Sequence, residues 1–225
     1  MKVLAVTLAR QGSKGIKNKN IKEIAGKPLI QWTYEQVMLC ENVTSYVIST
    51  DIPEVHKTYE NSEAMLIARP PELAQDDTPS IDALQHAVRS IEYELGGERY
   101  DIIADIRCTS PLKTAADIDA AIQACMHSGH PVVGATLTQP VERIKTMYGG
   151  FLMDTYPEPL DGQRQFLRSY YIRNGTFYIL PRDELMEEGR LLGNGFHKAF
   201  IMPRERSVNI DDEFDWMVAE CLLTR

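Results

Sequence analysis

The chain has 225 residues, of which 44% are hydrophobic and 25% charged, and its formal net charge is −8. This composition is typical of a folded globular protein, and the length allows one core, so we expect residues 1–225 to form a single domain. The acidic balance argues against nucleic acid as a partner, and no apolar run approaches the roughly 18 residues that span a bilayer. Residues 3–9 make a poor signal peptide, so we expect no membrane partner and a cytoplasmic location.

Strand and helix patterns then alternate along most of the chain. Nearly continuous apolar runs predict strands buried on both faces, and apolar side chains at helical spacing predict helices. The predicted elements are, in chain order, a strand at 3–8, a helix at 28–40, a strand at 46–50, a short helix at 51–59 capped by Asp51, a helix at 80–95, a strand at 101–106, a helix at 114–126 capped by Thr114, and a strand at 131–137. Residues 67–79 contain several prolines and predict a connection without regular structure. This alternation predicts an α/β fold built on a mostly parallel sheet.

The alternation stops at residue 139. Residues 139–167 contain several prolines, two adjacent glycines and three aromatic side chains that look exposed, namely Phe151, Tyr156 and Phe166. We interpret this segment as an excursion from the sheet that packs against a second subunit, with a long loop as the alternative.

The chain closes with sheet and helix character. Residues 175–180 and 199–202 predict two further strands. Residues 212–223 predict an amphipathic helix, whose apolar face would carry Phe214, Met217, Val218, Cys221 and Leu222.

A cluster of basic residues follows the first strand. Between residues 10 and 27 the chain places six basic side chains against one acid, Glu23, although the chain as a whole is acidic. They are Arg10, Lys14, Lys17, Lys19, Lys22 and Lys27. Gly12 and Gly15 let the backbone turn and bring its N–H groups near a ligand oxygen, so the segment predicts a phosphate-binding loop. It matches neither the P-loop nor the dinucleotide-binding pattern, and a solvated basic loop is the alternative.

Polar loops follow the predicted strands at residues 10–20, 69–80, 107–112 and 209–212. In open α/β sheets ligands bind at the carboxyl ends of the strands, so we expect functional side chains in these loops. Asn209 and Asp211 lie two residues apart in an extended segment and therefore point the same way, which makes Asp211 a candidate Mg²⁺ ligand. The alternative is that Asp211 or Asp212 caps the final helix.

Three further basic residues, Arg164, Arg173 and Lys145, are candidates for anion contacts. Each of them alone is more simply explained as a surface charge. The histidines form no metal-binding pattern and no G-x-S-x-G elbow is present, so we assign neither a metal-binding histidine nor a covalent nucleophile.

Short segments that run in order through nearly the whole chain carry a resemblance. They are Ala9-Arg10-Gln11-Gly12-Ser13-Lys14-Gly15-Ile16 with Lys19-Asn20-Ile21, Gly26-Lys27-Pro28-Leu29, Arg69-Pro70, Leu73-Ala74, Thr109-Ser110-Pro111-Leu112, Arg173-Asn174-Gly175-Thr176-Phe177-Tyr178, and residues 202–211. Together they closely resemble the acylneuraminate cytidylyltransferases, which are the CMP-sialic acid synthetases and their bacterial relatives.

The resemblance implies a GT-A-like nucleotidyltransferase fold with a mostly parallel, Rossmann-like sheet, a homodimer, and a role in bacterial surface polysaccharide biosynthesis. It implies transfer of CMP from CTP to the anomeric hydroxyl of a nonulosonic acid, sialic, legionaminic or related, with release of pyrophosphate. Mg²⁺ or Mn²⁺ would be the cofactor.

The resemblance also assigns roles to residues. Those at CTP would be Arg10, Ser13, Lys14, Lys19, Asn20, Arg69 and Ser80. Those at the acceptor would be Lys145, Arg164 and Asn174, with Arg173 as a further substrate contact. Asp211 would bind the metal together with Asn209, and Lys14, Arg10 and Asp211 would carry catalysis by neutralising charge on the phosphates.

Three positions depart from the family pattern. Arg107 stands where the family has a glutamine that resembles a sugar-pocket residue, which leaves open an acceptor other than N-acetylneuraminate. Asn209 stands where the family has an aspartate, which removes one negative charge from the metal site unless Asp212 offsets it. Arg173 is adjacent to Asn174, whereas a family arginine more often lies two residues before that asparagine. Two alternatives therefore stay open: a CMP-Kdo-type or other sugar nucleotidyltransferase, and a nucleotide-binding module without catalysis.

Overall fold

The computed structural model describes residues 1–12, 15–156 and 168–225. Its strands are β1 Val3–Ala9, β2 Glu23–Ile24, β3 Lys27–Pro28, β4 Ser45–Thr50, β5 Met65–Ala68, β6 Ile102–Ile106, β7 Val132–Leu137, β8 Lys145–Tyr148, β9 Phe151–Asp154, β10 Tyr171–Pro181 and β11 Lys198–Ile201. Its helices are α1 Leu29–Met38, α2 Pro53–Tyr59, α3 Ser80–Glu94, α4 Ala115–Ser128, α5 Arg182–Met186 and α6 Glu213–Leu223. None of the described helices is long and apolar enough to cross a membrane.

A central sheet of seven strands has the order β11-β7-β10-β6-β1-β4-β5. All its neighbouring strands run parallel except β10, which is antiparallel to both β6 and β7. The predicted mostly parallel α/β sheet is therefore confirmed. The carboxyl ends of β1, β4, β5 and β6 meet at one edge, where the polar loops gather.

Three hydrophobic clusters hold the layers together. Because successive side chains of a strand point to opposite faces, β1 contributes Val3 and Ala5 to the cluster under α1, α2 and α4, and Leu4 and Val6 to the cluster under α3. A third, smaller cluster packs Ile16 and Ile24 of the basic segment, together with Leu29, against α6. Helix α6 thereby fixes the position of the basic segment.

Two local predictions were wrong because a long-range contact decided the structure. Asp51 does not cap α2, since its Oδ1 accepts a hydrogen bond from the backbone N–H of Gln11 at 2.9 Å, and no side-chain cap is present at that helix. Residues 67 and 68, predicted to lie in an irregular connection, belong to β5, which pairs in parallel with β4. The cap predicted at Thr114 is confirmed, with a reciprocal contact to Asp117.

The face that α6 buries also differs from the prediction. Trp216 and Ala219 are its buried residues, and they pack against Ile16, Ile24 and Leu29. Phe214 and Met217, expected on the buried face, are 68% and 60% exposed. Apolar side chains lie on most sides of this helix, so periodicity alone could not select the packed face.

Part of the predicted excursion at 139–167 leaves the sheet as a separate hairpin of β8 and β9. Gly149 and Gly150 form its turn, with φ of 56° and 87°. These left-handed values favour glycine at both central positions of a two-residue hairpin turn. Phe166 and the rest of residues 157–167 lie outside the described part of the chain.

Candidate active site

A cleft of about 450 Å³ lies at the carboxyl ends of the parallel strands. It brings together loops that follow β1, β5 and β6, together with the N-terminus of α3 and the segment before α6. Seven of the predicted site residues line it: Arg10, Lys19, Asn20, Arg69, Ser80, Arg107 and Asp211. This is the position expected for a ligand site in an open α/β sheet.

Two arginines of this first cleft, Arg69 and Arg10, are held by the strand and loop beside them. Arg69 is buried, and its guanidinium donates to the backbone carbonyl of Ser49 at 2.6 Å and to the hydroxyl of the same residue at 3.3 Å. Burial lowers the pKa of Arg69 from its usual value. Arg10 donates from Nη1 to Asp76 Oδ1 at 2.5 Å and to the Ala74 carbonyl at 3.4 Å. Both guanidinium groups are thus oriented before any ligand arrives.

Lys19 and Asn20 connect the basic loop to its neighbours. Lys19 Nζ donates to the backbone carbonyl of Ile210 at 2.5 Å and lies 4.0 Å from Asp211 Oδ1. The buried Asn20 donates from Nδ2 to the Arg10 carbonyl at 2.9 Å and accepts from the thiol of Cys108 at 3.0 Å. Ser13 and Lys14 of the same loop lie outside the described residues.

Gly15 is required by a close approach of two backbone segments. A Cβ built at Gly15 would lie 1.9 Å from the Asp211 carbonyl oxygen, which no side chain can occupy. At Gly12 the nearest atom to such a Cβ is Arg10 Nη1 at 3.5 Å, an ordinary contact. The sequence suggested that both glycines bring the backbone to a ligand, whereas Gly15 brings it to the segment that carries Asp211.

The segment 209–212 divides its two acids between different tasks. Asp212 caps α6, accepting from the Asp215 backbone N–H at 3.0 Å. Asp211 is left facing the cleft with 77% of its side chain exposed, and its Oδ2 accepts from Asn209 Nδ2 at 2.8 Å. The alternative in which Asp211 caps the helix is therefore excluded. Asp212 is committed to the cap.

These residues fit a magnesium ion that brings most of its ligands with it. Asp211 offers one carboxylate, while the Asn209 Oδ1 already accepts hydroxyl hydrogen bonds from Thr109 at 2.7 Å and Ser110 at 3.4 Å. Within the described ranges, no three histidine, cysteine or acidic side chains cluster into a metal cage. Mg²⁺ is commonly held by one or two carboxylates together with water and substrate phosphates, so Asp211 is sufficient as the anionic protein ligand.

A second cleft of about 490 Å³ adjoins the first and shares Asp211 with it. Arg173, Asn174, Tyr178 and Asn209 are among its lining residues. Asn174 is buried and uses its side chain within the protein, since Nδ2 donates to Ser207 Oγ at 3.0 Å and Oδ1 accepts from the Thr176 N–H at 3.2 Å. Asn174 therefore shapes the second cleft by holding the bulged β10 in place.

Lys145, another predicted acceptor residue, does not line this cleft. Lys145 is on the hairpin of β8 and β9, where Nζ donates to Asp154 Oδ1 at 2.5 Å. Arg164 lies outside the described residues.

Two buried charged residues behind the first cleft were not found from the sequence. Asp105 is fully buried in β6 and accepts from Arg107 Nε at 2.7 Å. Its only sequence signal is an acid inside an apolar strand run, two residues from an arginine on the same face. Lys113 is buried and donates to Thr33 Oγ1, to the Arg107 carbonyl and to the Ser110 carbonyl at 2.7, 2.8 and 2.9 Å. Nothing in the sequence distinguishes Lys113 from a surface lysine that precedes a helix.

Burial lowers the pKa of Lys113 to about 7. Either protonation state can be satisfied at this position, because a neutral amine can still donate to both carbonyls while accepting from the Thr33 hydroxyl. Lys113 thus holds the loop between β6 and α4 from behind. This loop carries Arg107 and Thr109 into the first cleft.

Comparison with known proteins gives the family. Residues 4–153 match the family model described as Cytidylyltransferase. The chain belongs to the cytidylyltransferase family. The chain is 33% identical over 222 residues to N-acylneuraminate cytidylyltransferase A of Danio rerio, a match that covers 97% of this chain and 50% of that protein. It is 28% identical over 235 residues to post-translational flagellin modification protein B of Campylobacter coli. That match covers 98% of this chain and 94% of the Campylobacter coli protein.

The chain spans about half the length of the N-acylneuraminate cytidylyltransferases that it matches. Among solved structures, a CMP:2-keto-3-deoxy-manno-octonic acid synthetase in complex with CTP has a TM-score of 0.69 at 18% identity, and the match covers 99% of this chain and 98% of that one. The predicted resemblance and the GT-A-like nucleotidyltransferase fold are both confirmed.

Proposed function

We propose that this cytidylyltransferase transfers CMP from CTP to the anomeric hydroxyl of a nonulosonic acid, sialic, legionaminic or related, and releases pyrophosphate. The observation that carries the proposal is the pair of adjoining clefts that share Asp211. A triphosphate in the first cleft and an acceptor in the second would meet at this carboxylate. In-line phosphoryl transfer requires the attacking and leaving oxygens to be held on opposite sides of phosphorus, which two adjoining clefts can provide.

The first cleft suits a nucleoside triphosphate because it concentrates positive charge in an acidic protein. Arg10, Lys19 and Arg69 contribute cationic groups to it. Fixed positive groups near the phosphates stabilise charge that develops in the transition state, and they need no covalent nucleophile. Phosphate oxygens would replace Asp76 as the partner of Arg10. Lys14 and Ser13 stay predictions for the same role.

Mg²⁺, or Mn²⁺, would be held by Asp211, and when bound it would neutralise phosphate charge. Asn209 would act on that carboxylate through its Nδ2 hydrogen bond to Oδ2. One side chain facing both clefts would hold the position at which the two substrates react. Chelation of divalent ions should therefore abolish turnover.

The second cleft would bind the acceptor. Arg173 lines it and is exposed, so its guanidinium would pair with the carboxylate of a sugar acid. Lys145 and Arg164 stay predictions for the acceptor, as do a cytoplasmic location and a role in surface polysaccharide biosynthesis.

We also propose a homodimer. Met147, Tyr148, Phe151 and Leu152 of the β8–β9 hairpin are 71–79% exposed, and an isolated two-stranded hairpin is marginally stable in water. A third cleft of about 730 Å³ offers an apolar surface lined by Leu137, Ile172, Ile201, Val208, Phe214 and Val218. Contiguous exposed apolar patches mark protein interfaces. A hairpin seated on a second copy would carry Lys145 with it, which agrees with the predicted role of Lys145 at an acceptor.

The test is pyrophosphate release from CTP, ATP, GTP and UTP with a panel of nonulosonic acids and with Kdo, followed by mass spectrometry of the product. We expect release with CTP and at least one nonulosonic acid. Release with Kdo alone would favour the Kdo-type synthetase, and another nucleotide would favour a different sugar nucleotidyltransferase. CTP binding without turnover, with turnover appearing only in Asn209→Asp, would favour a catalytically weak nucleotide-binding module.

A further inference from the structure

The environment of Asp105 points to a role other than stabilising the fold. Its carboxylate is fully buried in the central strand β6, and its Oδ1 has no hydrogen-bond partner in the described part of the chain. Burial raises the pKa of Asp105 even though Arg107 and Arg69 lower it. A buried ion pair with an unsatisfied oxygen is often no more stable than an apolar pair of the same size.

The partner of Asp105 is Arg107, which lines the first cleft. Arg107 donates from Nε to Asp105 Oδ2 at 2.7 Å and from Nη2 to Ser80 Oγ at 3.1 Å. Its guanidinium carbon lies 5.2 Å from the ring centre of Tyr178, which adds a cation–π contact. Among the described residues, Nη1 donates to no protein atom. Three contacts therefore fix the guanidinium and leave one nitrogen for a ligand.

Arg107 belongs to the first cleft and not to the second. Arg107 lines the first cleft with Arg10 and Arg69, whereas the second cleft is lined by Tyr178, whose ring packs against the guanidinium. The negative charge of Asp105 also acts on Arg69. This negative charge favours the charged form of both Arg69 and Arg107.

We propose that Asp105 is a positioning residue, which holds Arg107 in place to donate a hydrogen bond to an oxygen of the bound nucleoside triphosphate. This inference rests on the proposed function. It assigns Arg107, expected at the sugar from the family pattern, to CTP. The acceptor KM should therefore not depend on Asp105 or Arg107.

The experiment is calorimetric titration of CTP with Mg²⁺ into the wild type, Asp105→Asn, Arg107→Gln and the double variant, together with KM values for both substrates. Each single variant should bind CTP about tenfold more weakly, the cost of a lost hydrogen bond to a charged group. The double variant should bind no more weakly than Arg107→Gln, because Asp105 acts through Arg107. The acceptor KM should change by less than about twofold, within the spread expected of independent sites.

Glu92→Gln is the matched control, since Glu92 forms a buried bidentate pair with Arg182 at 2.7 and 2.8 Å and lines neither of these clefts. It should lower the melting temperature and leave CTP affinity unchanged. If Asp105→Asn fails to fold, Asp105→Glu is the substitute. It keeps the charge but displaces the Arg107 guanidinium by the length of one methylene, so it should show the same loss of CTP affinity.

Unchanged CTP affinity in Asp105→Asn, losses that multiply in the double variant, or an effect confined to the acceptor KM would each overturn the inference and leave the proposed function standing. A wild type that binds no CTP would overturn both.

Discussion

The first cleft and the β8–β9 hairpin differ in whether their side chains find partners within one chain. In the cleft, Arg10, Arg69, Arg107 and Lys19 each have protein partners that fix their orientation. On the hairpin, large apolar side chains stand in solvent. We infer that the nucleotide half of the site is complete within one copy, whereas the acceptor half needs a second. The predictions below test this division.

Asp211 belongs to both halves, so its loss should have the largest effect. We expect Asp211→Asn to lower kcat about a thousandfold, as for loss of a group that stabilises transition-state charge. The matched control is Asp212→Asn, because asparagine also caps helices well. Steady-state pyrophosphate release should be near normal in the control; similar losses in both variants would show that the segment, rather than the Asp211 carboxylate, is what matters.

Replacing Lys113 tests whether its buried contacts hold the loop between β6 and α4 that lines the first cleft. Lys113→Met leaves the Arg107 and Ser110 carbonyls without their donor, which should lower the free energy of unfolding by about 3 kcal/mol. Urea denaturation measures this change. A loss below about 1 kcal/mol, the value of one ordinary hydrogen bond, would mean that the loop is held by other contacts.

The same residue gives a pH dependence. Burial lowers the pKa of Lys113 to about 7, whereas an unfolded lysine titrates near pH 10.4, at roughly its free value. Between these pH values the unfolded state binds one more proton, so the contribution of Lys113 makes stability rise with pH by up to about 1.4 kcal/mol per unit. Below the folded pKa this contribution is level. Relative to Lys113→Met, the wild type should gain stability between about pH 7 and pH 9; parallel curves would contradict the shifted pKa.

Gly15 tests the join between the basic loop and the Asp211 segment. Gly15→Ala must push the Asp211 carbonyl away, since the new Cβ would lie 1.9 Å from it. A displacement of about 1 Å at a reacting group can cost a hundredfold, so we expect kcat/KM to fall by about that factor. Gly12→Ala, with its nearest contact at 3.5 Å, is the control. Equal activity of the two variants would mean that the loop moves without disturbing Asp211.

A substitution in the β8–β9 hairpin should have the smallest effect on nucleotide binding. Phe151→Glu should convert the proposed dimer to a monomer in sedimentation experiments, because a carboxylate cannot be buried in an apolar interface. The acceptor KM should rise about tenfold, the loss of a modest contact energy, with CTP affinity unchanged. Tyr93→Glu, at an aromatic side chain 86% exposed on α3, should stay dimeric.

What the sequence predicted well depends on neighbours along the chain. The strands β1, β4, β6 and β7, the Thr114 cap and the gathering of Arg10, Arg69 and Arg107 at one edge follow from local pattern and from the topology of parallel sheets. Asp51 was misassigned because its partner, Gln11, is 40 residues away. Lys113 was missed because its burial depends on tertiary packing: the Arg107 and Ser110 carbonyls are close in sequence, but Thr33 is 80 residues distant. Distant partners of this kind are set by the tertiary structure and have no local signature.

The most direct test of the division between nucleotide and acceptor is CTP affinity and turnover measured side by side in wild type and Phe151→Glu. Both proteins should bind CTP with the same affinity. The wild type should release pyrophosphate when a nonulosonic acid is added, and the monomeric variant should do so only at much higher acceptor concentration. A monomer with full activity, or one that has lost CTP binding, would contradict the account.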